Sequence, residues 1–261
     1  MRRILLMLVA AVGAAFVAVS CGGKNTYDNN IGPGGEPEGT ETTHKGPRAV
    51  FIGDSITWQW TQSRDIDKSK FDASITLPSP LPSYMEDKGA AYHVTWHPAF
   101  FTANGYVNKG VSAQRTDEML ARFKTDVLDQ DPHCVVIMGG TNDLAQGYAK
   151  DVILSNIKSM AEQAAAKNMK VVLCSVTPCN MEYSRLSPKG KGTHIKTLNT
   201  MIKEYAVSKG FAYCDYFPAL VAGDGLALKE EFCLYDRLHP CPDAYYLMED
   251  IIKPIIDKLL K

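Results

Sequence analysis

Basic runs are missing from this chain: 28 lysines and arginines are scattered against 29 aspartates and glutamates, and the formal net charge is −1. A nucleic-acid surface needs concentrated cationic charge to displace counterions, so nucleic acid is not an expected partner. No internal repeat recurs at a fixed period, which argues against solenoids and propellers. Zinc-motif spacings of cysteine and histidine are absent as well. His93 and His97 stand four apart, but "HVTWHPAF" carries Pro98 and lacks the acidic neighbour of a zinc protease motif. No metal or cofactor is therefore expected.

What is present begins with a charge-free apolar run, Ile4 to Ser20, preceded by Met1-Arg2-Arg3 and closed by Ala18-Val19-Ser20-Cys21. A basic start, a short apolar stretch and a small-residue site describe a secretory signal over residues 1–20 rather than a spanning helix. The cysteine at the cleavage point resembles a bacterial lipobox, which implies lipidation of Cys21; a plain signal peptide with an incidental cysteine is the alternative. Residues 21–46 are mostly Gly, Asn, Pro, Glu and Thr. Such a composition cannot bury enough surface to offset chain entropy, and a flexible tether follows. The protein is thus expected outside the cytoplasm, held to a bacterial membrane by a lipid anchor. Residues 47–261 have the size of one domain. Of the seven cysteines, Cys134, Cys174 and Cys214 lie in apolar runs, where a buried free thiol is the default. Cys179, Cys233 and Cys241 lie in loop-like sequence, and Cys233 with Cys241 is the candidate disulfide.

Within the domain, strand-like runs alternate with helical patterns. The strands are 48–52, 106–111, 134–138, 170–176 and 211–217. Helical spacing occupies 115–128, 152–166, 195–207 and 243–260, with a kink expected at Pro254. Strands apolar on both faces that alternate with helices predict an α/β fold, a parallel sheet covered on each side. In such sheets ligands bind beyond the carboxyl ends of the strands. Three segments sit there: Gly53-Asp54-Ser55, Asn108-Lys109-Gly110, and Gly139-Gly140-Thr141-Asn142-Asp143.

A serine becomes a nucleophile only when a base takes its proton and a third group orients that base. Among six histidines, His239 stands out in "YDRLHP", with Asp236 three residues upstream and the closing helix just beyond. In a tight turn the carboxylate can accept from one ring nitrogen and leave the other facing a pocket; an ordinary turn before a helix is the bland reading. Backbone N–H groups of Ser55 and Gly110 and the amide of Asn142 can serve as oxyanion donors, although Gly110 could equally mark a tight turn and Asn142 a helix cap. The Gly-x-Ser-x-Gly elbow of α/β-hydrolases does not occur; "GVSAQ" at 110–114 comes nearest and lacks the second glycine.

Together, "GDSIT" at 53–57, Gly110 in "NKGVSAQRT", "GGTND" at 139–143 and "DRLHP" at 236–240 closely resemble the four blocks of the SGNH (GDSL) hydrolase family, in family order. The resemblance implies a three-layer α/β/α sandwich of flavodoxin-like type, with Ser55 as nucleophile, His239 as base, Asp236 as orienter, and Ser55, Gly110 and Asn142 as the oxyanion hole. Residues 57–104 form a long aromatic-rich insertion expected to fold over the sheet edge and build part of the substrate pocket, with an aromatic satellite core as the alternative for any one of its rings. Asp54, Trp58, Trp96 and His97 are expected to face the substrate. An exported member of this family looks like a carbohydrate O-acetylesterase. Lysophospholipases, thioesterases and enzymes similar to platelet-activating-factor acetylhydrolase are the alternatives within the family, and a non-catalytic glycan-binding lipoprotein is the alternative outside it.

Overall fold

Residues 49–53, Ala-Val-Phe-Ile-Gly, are apolar on both faces, and the computed structural model buries all five as β1 (Ala49–Gly53). The structure describes residues 43–179 and 191–261. The signal segment, Cys21 and most of the tether lie outside the described residues. After β1 the chain runs through α1 (Ser55–Gln59), β2 (Ser63–Asp67), β3 (Met85–Asp87), β4 (Ala91–Thr95), α2 (Pro98–Asn104) and β5 (Tyr106–Gly110). It continues through α3 (Thr116–Asp126), β6 (Cys134–Met138), α4 (Thr141–Ala145), α5 (Lys150–Ala165), β7 (Lys170–Cys174) and α6 (Lys191–Lys209). The last elements are β8 (Ala212–Cys214), α7 (Phe217–Leu220) and α8 (Pro242–Leu259).

Five strands pair in the order β5-β1-β6-β7-β8, and every pairing is parallel. This is the flavodoxin-like order, and its reversal between β1 and β6 opens the crevice in which such sheets bind ligands. The register sets Gly53 opposite Gly110 on one side and Met138 on the other. The three suspicious segments therefore leave the sheet at one level. Alternate side chains feed two cores. Ala49 and Phe51 join Trp60, Phe100 and the α8 residues Met248 and Ile252, whereas Val50 and Ile52 join Met119, Ile153, Ile157 and Leu198 from α3, α5 and α6. The result is the expected three-layer sandwich.

Differences from the sequence reading are local. Residues 44–46, expected in the tether, are pinned to the domain: His44 Nδ1 lies 2.7 Å from Asp131 Oδ1, and the Gly46 N–H donates to the Asp131 carbonyl at 3.0 Å. The strand expected over 211–217 is only β8, because Phe217 begins α7. Pro254 sits inside α8 without ending it. The insertion holds a second, antiparallel sheet, β2-β4-β3, which its charged sequence concealed; in "SRDID" only Ile66 is buried. Cys233 and Cys241 are free thiols. Each donates to a carbonyl, Cys233 to Lys229 at 3.4 Å and Cys241 to Glu231 at 3.6 Å.

Candidate active site

At the end of β1 the chain turns into a single helical turn capped by Asp54, whose Oδ1 accepts from the Ile56 N–H at 2.9 Å. The cap places Ser55 at the first position of α1, largely buried. Its Oγ lies 2.9 Å from His239 Nε2, across 184 residues of sequence. His239 Nδ1 lies 2.6 Å from Asp236 Oδ2. Asp236 also organises its own loop: Oδ1 accepts the backbone N–H groups of Leu238 at 3.1 Å and His239 at 2.8 Å. The Asp-x-x-His spacing works because one carboxylate holds both the ring and the turn that carries it. With Nδ1–H directed at Asp236, Nε2 is the acceptor for the Ser55 hydroxyl proton.

Two further groups steady this loop. Arg237 takes a left-handed φ of 53°, which is unfavourable for a residue with a Cβ. Its guanidinium holds both Glu230 oxygens, at 2.6 and 2.9 Å, and reaches Ser74 Oγ in the insertion at 2.9 Å. The Tyr235 ring stacks nearly parallel on His239, with centroids 5.7 Å apart.

Ser55, in the first turn of α1, has a backbone N–H with no intrahelical acceptor. Asn142 is buried just past Gly140, whose φ of 123° favours glycine; one amide hydrogen of Asn142 donates to the Gln114 carbonyl at 2.9 Å, which leaves the second. The Gly110 N–H donates to Asn108 Oδ1 at 2.8 Å. Gly110 is glycine for a packing reason as well: a Cβ would lie 2.1 Å from Trp58 N of α1. Asp143 accepts from Thr116 N and Oγ1, at 3.0 and 2.6 Å, and ties this segment to α3.

Burial pushes the Asp54 carboxyl up to about 6; the Ile56 N–H and the nearby His239 act against burial, and Asp143 reinforces it. Of the residues expected to face substrate, Trp58 is half-buried beneath the Arg64 guanidinium, 5.3 Å from its ring. Trp96 is core, with Nε1 donating to the Pro240 carbonyl at 3.2 Å. The His97 ring pairs with Glu249 of α8, its Nδ1 2.6 Å from Oε2. Trp96 was expected at the pocket because aromatic content alone does not separate lining from core, whereas His97 stays half-buried. His93 pairs with Asp65 at 2.6 Å, apart from His97's partner. Arg64 went unnoticed in the sequence, because its neighbours come from distant segments. Asn108 and Asp143 stood in the segments singled out at the strand ends and Tyr235 in "YDRLHP", but none of the three was given a role.

Fold and site together define the class: a serine hydrolase on a flavodoxin-like sheet, with Ser55 on a β1–α1 turn. Residues 51–247 match the GDSL-like lipase/acylhydrolase family, and the chain belongs to that family of ester-hydrolysing enzymes. A GDSL-like lipase of Bacteroides thetaiotaomicron is 32% identical, with a TM-score of 0.66 over 81% of this chain and 88% of that one. Esterase TesA of Pseudomonas aeruginosa is 24% identical over 211 residues, 81% of this chain and 88% of the esterase. An uncharacterised lipoprotein of Bacillus subtilis, YqeF, is 35% identical over 78 residues, which span 28% of this chain and 32% of the lipoprotein.

Proposed function

We propose that this protein is an exported, lipid-anchored esterase that removes acetyl groups from carbohydrate through an acyl-enzyme. The hydrogen-bonded chain from Ser55 to His239 to Asp236 carries the reading. Ser55 Oγ attacks the ester carbonyl while His239 Nε2 takes its proton. Negative charge then develops on the carbonyl oxygen, where the Ser55 N–H and the second amide hydrogen of Asn142 await it. The Gly110 N–H joins them as the oxyanion draws it from Asn108. His239 returns the proton to the departing alcohol, and a water activated by the same nitrogen releases acetate.

One feature supports the substrate class. Several aromatics of the insertion, Trp60, Trp96, Phe100 and Phe101, pack into the core and are not free to line an acyl channel. Among p-nitrophenyl esters, kcat/KM should be highest for acetate, lower for butyrate and least for decanoate, with acetate release from acetylated xylan. A clear preference for decanoate would remove the acetyl assignment. Ser55→Ala should abolish turnover of every ester. Labelled palmitate should enter the full chain and be lost in Cys21→Ser.

A further inference from the structure

Arg122 reaches from α3 to the carboxyl ends of two neighbouring strands, β1 and β5. Its Nη1 donates to the Lys109 carbonyl at 2.7 Å, its Nη2 to the Gly53 carbonyl at 3.0 Å, and its Nε to Gln114 Oε1 at 2.6 Å. Asp126, one turn further along α3, accepts from Nη1 as well, at 2.7 Å, and balances the charge. The side chain is mostly buried.

A peptide unit is planar, so whatever holds its oxygen also aims its N–H. The Lys109 carbonyl shares a plane with the Gly110 N–H, one of the proposed oxyanion donors. The bond from Arg122 therefore fixes the direction of that donor, and a cation on the oxygen polarises the unit and strengthens the N–H. The Gly53 carbonyl, which also accepts from the Val111 N–H at 3.0 Å, belongs to the peptide that leads into Asp54, the cap of α1. Arg122 thus fastens β1 to β5 at the level where Gly53 and Gly110 face each other.

The bond to Gln114 acts at one remove. Gln114 holds Asn142 by its backbone carbonyl, 2.9 Å from Nδ2, and this bond decides where the second amide hydrogen points. Its side chain is the part that Arg122 grips. The preceding residue, Ala113, has a left-handed φ of 67°, which a residue with a Cβ keeps only when its surroundings impose it. The Arg122–Gln114 bond is such a constraint. A rigid guanidinium fork reaches all three acceptors at once, which a lysine ammonium does not match.

We infer that Arg122 is a positioning residue for the oxyanion hole: it touches no reacting atom and acts by aiming the Gly110 N–H and the Asn142 amide. The inference rests on the esterase reading and on the donors proposed there. Arg122→Lys keeps the charge beside Asp126 but loses the fork. For p-nitrophenyl acetate, kcat/KM should fall about 10–100-fold, the loss that misplaced donors bring. Trifluoroacetophenone separates aim from general damage. Ser55 Oγ adds to its carbonyl carbon, His239 takes the hydroxyl proton, and the carbonyl oxygen becomes an oxyanion in the hole. Its Ki should rise by the same factor as kcat/KM falls. The pH midpoint of kcat/KM should stay at the wild-type value, because the bonds of His239 to Ser55 and Asp236 do not involve Arg122.

Gln114→Met, at a half-exposed position, carries the test should the Arg122 variant fail to fold. It should lower kcat/KM about 3–10-fold in the wild-type background and not at all in Asn142→Ala, since its effect passes through that amide. Three results would each overturn the inference and leave the esterase standing: wild-type kcat/KM and Ki in Arg122→Lys, a loss of activity with Ki unchanged, or an equal loss from Gln114→Met in both backgrounds. Turnover that survives Ser55→Ala would remove the esterase reading, and the inference with it.

Discussion

Asp54 has two roles that pull in opposite directions. Its carboxylate caps α1 and so places Ser55, yet the group is buried and its pKa is raised to about 6. A carboxyl whose folded pKa lies above its unfolded value of 3.8 favours folding below that value, and the benefit disappears as pH rises to about 6. A shift of this size is worth about 3 kcal/mol at most. Urea unfolding of the wild type should therefore show stability falling between about pH 4 and pH 6 relative to Asp54→Asn, which keeps an acceptor for the Ile56 N–H but does not titrate. A difference that stays flat across that window would place the proton elsewhere. If Asn142 is the oxyanion donor proposed above, Asn142→Ala should lower kcat by about 10²–10³ with little change in KM. Asp236→Asn removes both the partner of His239 Nδ1 and the charge that stabilises an imidazolium, and kcat should fall while the ester still binds.

At the scale of elements, the site depends on close contact between α1 and β5. A methyl group at Gly110 would meet Trp58 N at 2.1 Å and Thr57 C at 2.6 Å, both backbone atoms that cannot rotate away. Gly110→Ala should cost about 3 kcal/mol, the upper part of the overpacking range, and should lower kcat because α1 carries Ser55. Thermal unfolding measured beside turnover would check both. Much of this arrangement was legible in the sequence. Gly53-Asp54-Ser55, "GGTND" and Asp-x-x-His are local patterns whose chemistry depends on spacing alone. The small sheet was not legible, because β2, β3 and β4 each bury a single side chain, and β2 and β3 carry charges at most positions, so no alternation stood out. Arg64 was hidden for a related reason. The three rings around it are brought there by tertiary structure, from positions 58, 96 and 235.

For the whole molecule, runs such as "CVVIM" and "KVVLC", apolar on both faces, announced a sheet covered on each side. What they could not announce was how the insertion joins the closing helix. Trp60 Nε1 donates to Glu249 Oε1 at 2.8 Å, and the other Glu249 oxygen takes His97 Nδ1 at 2.6 Å. A single carboxylate on α8 thus fastens residues from both ends of the insertion. Glu249→Leu leaves the buried indole N–H without an acceptor and should cost about 1–3 kcal/mol, read as a shift in the urea midpoint. Trp60→Phe in the same background should recover part of that loss, because it removes the stranded donor.

The span of 184 residues between Ser55 and His239 also bears on when the enzyme can act. The imidazole arrives on the loop just before α8, and Asp257 of that helix grips Arg48 at the entrance to β1. Until the loop before α8 is in place, Ser55 is an inert alcohol with no base beside it, so activity requires both ends of the domain at once.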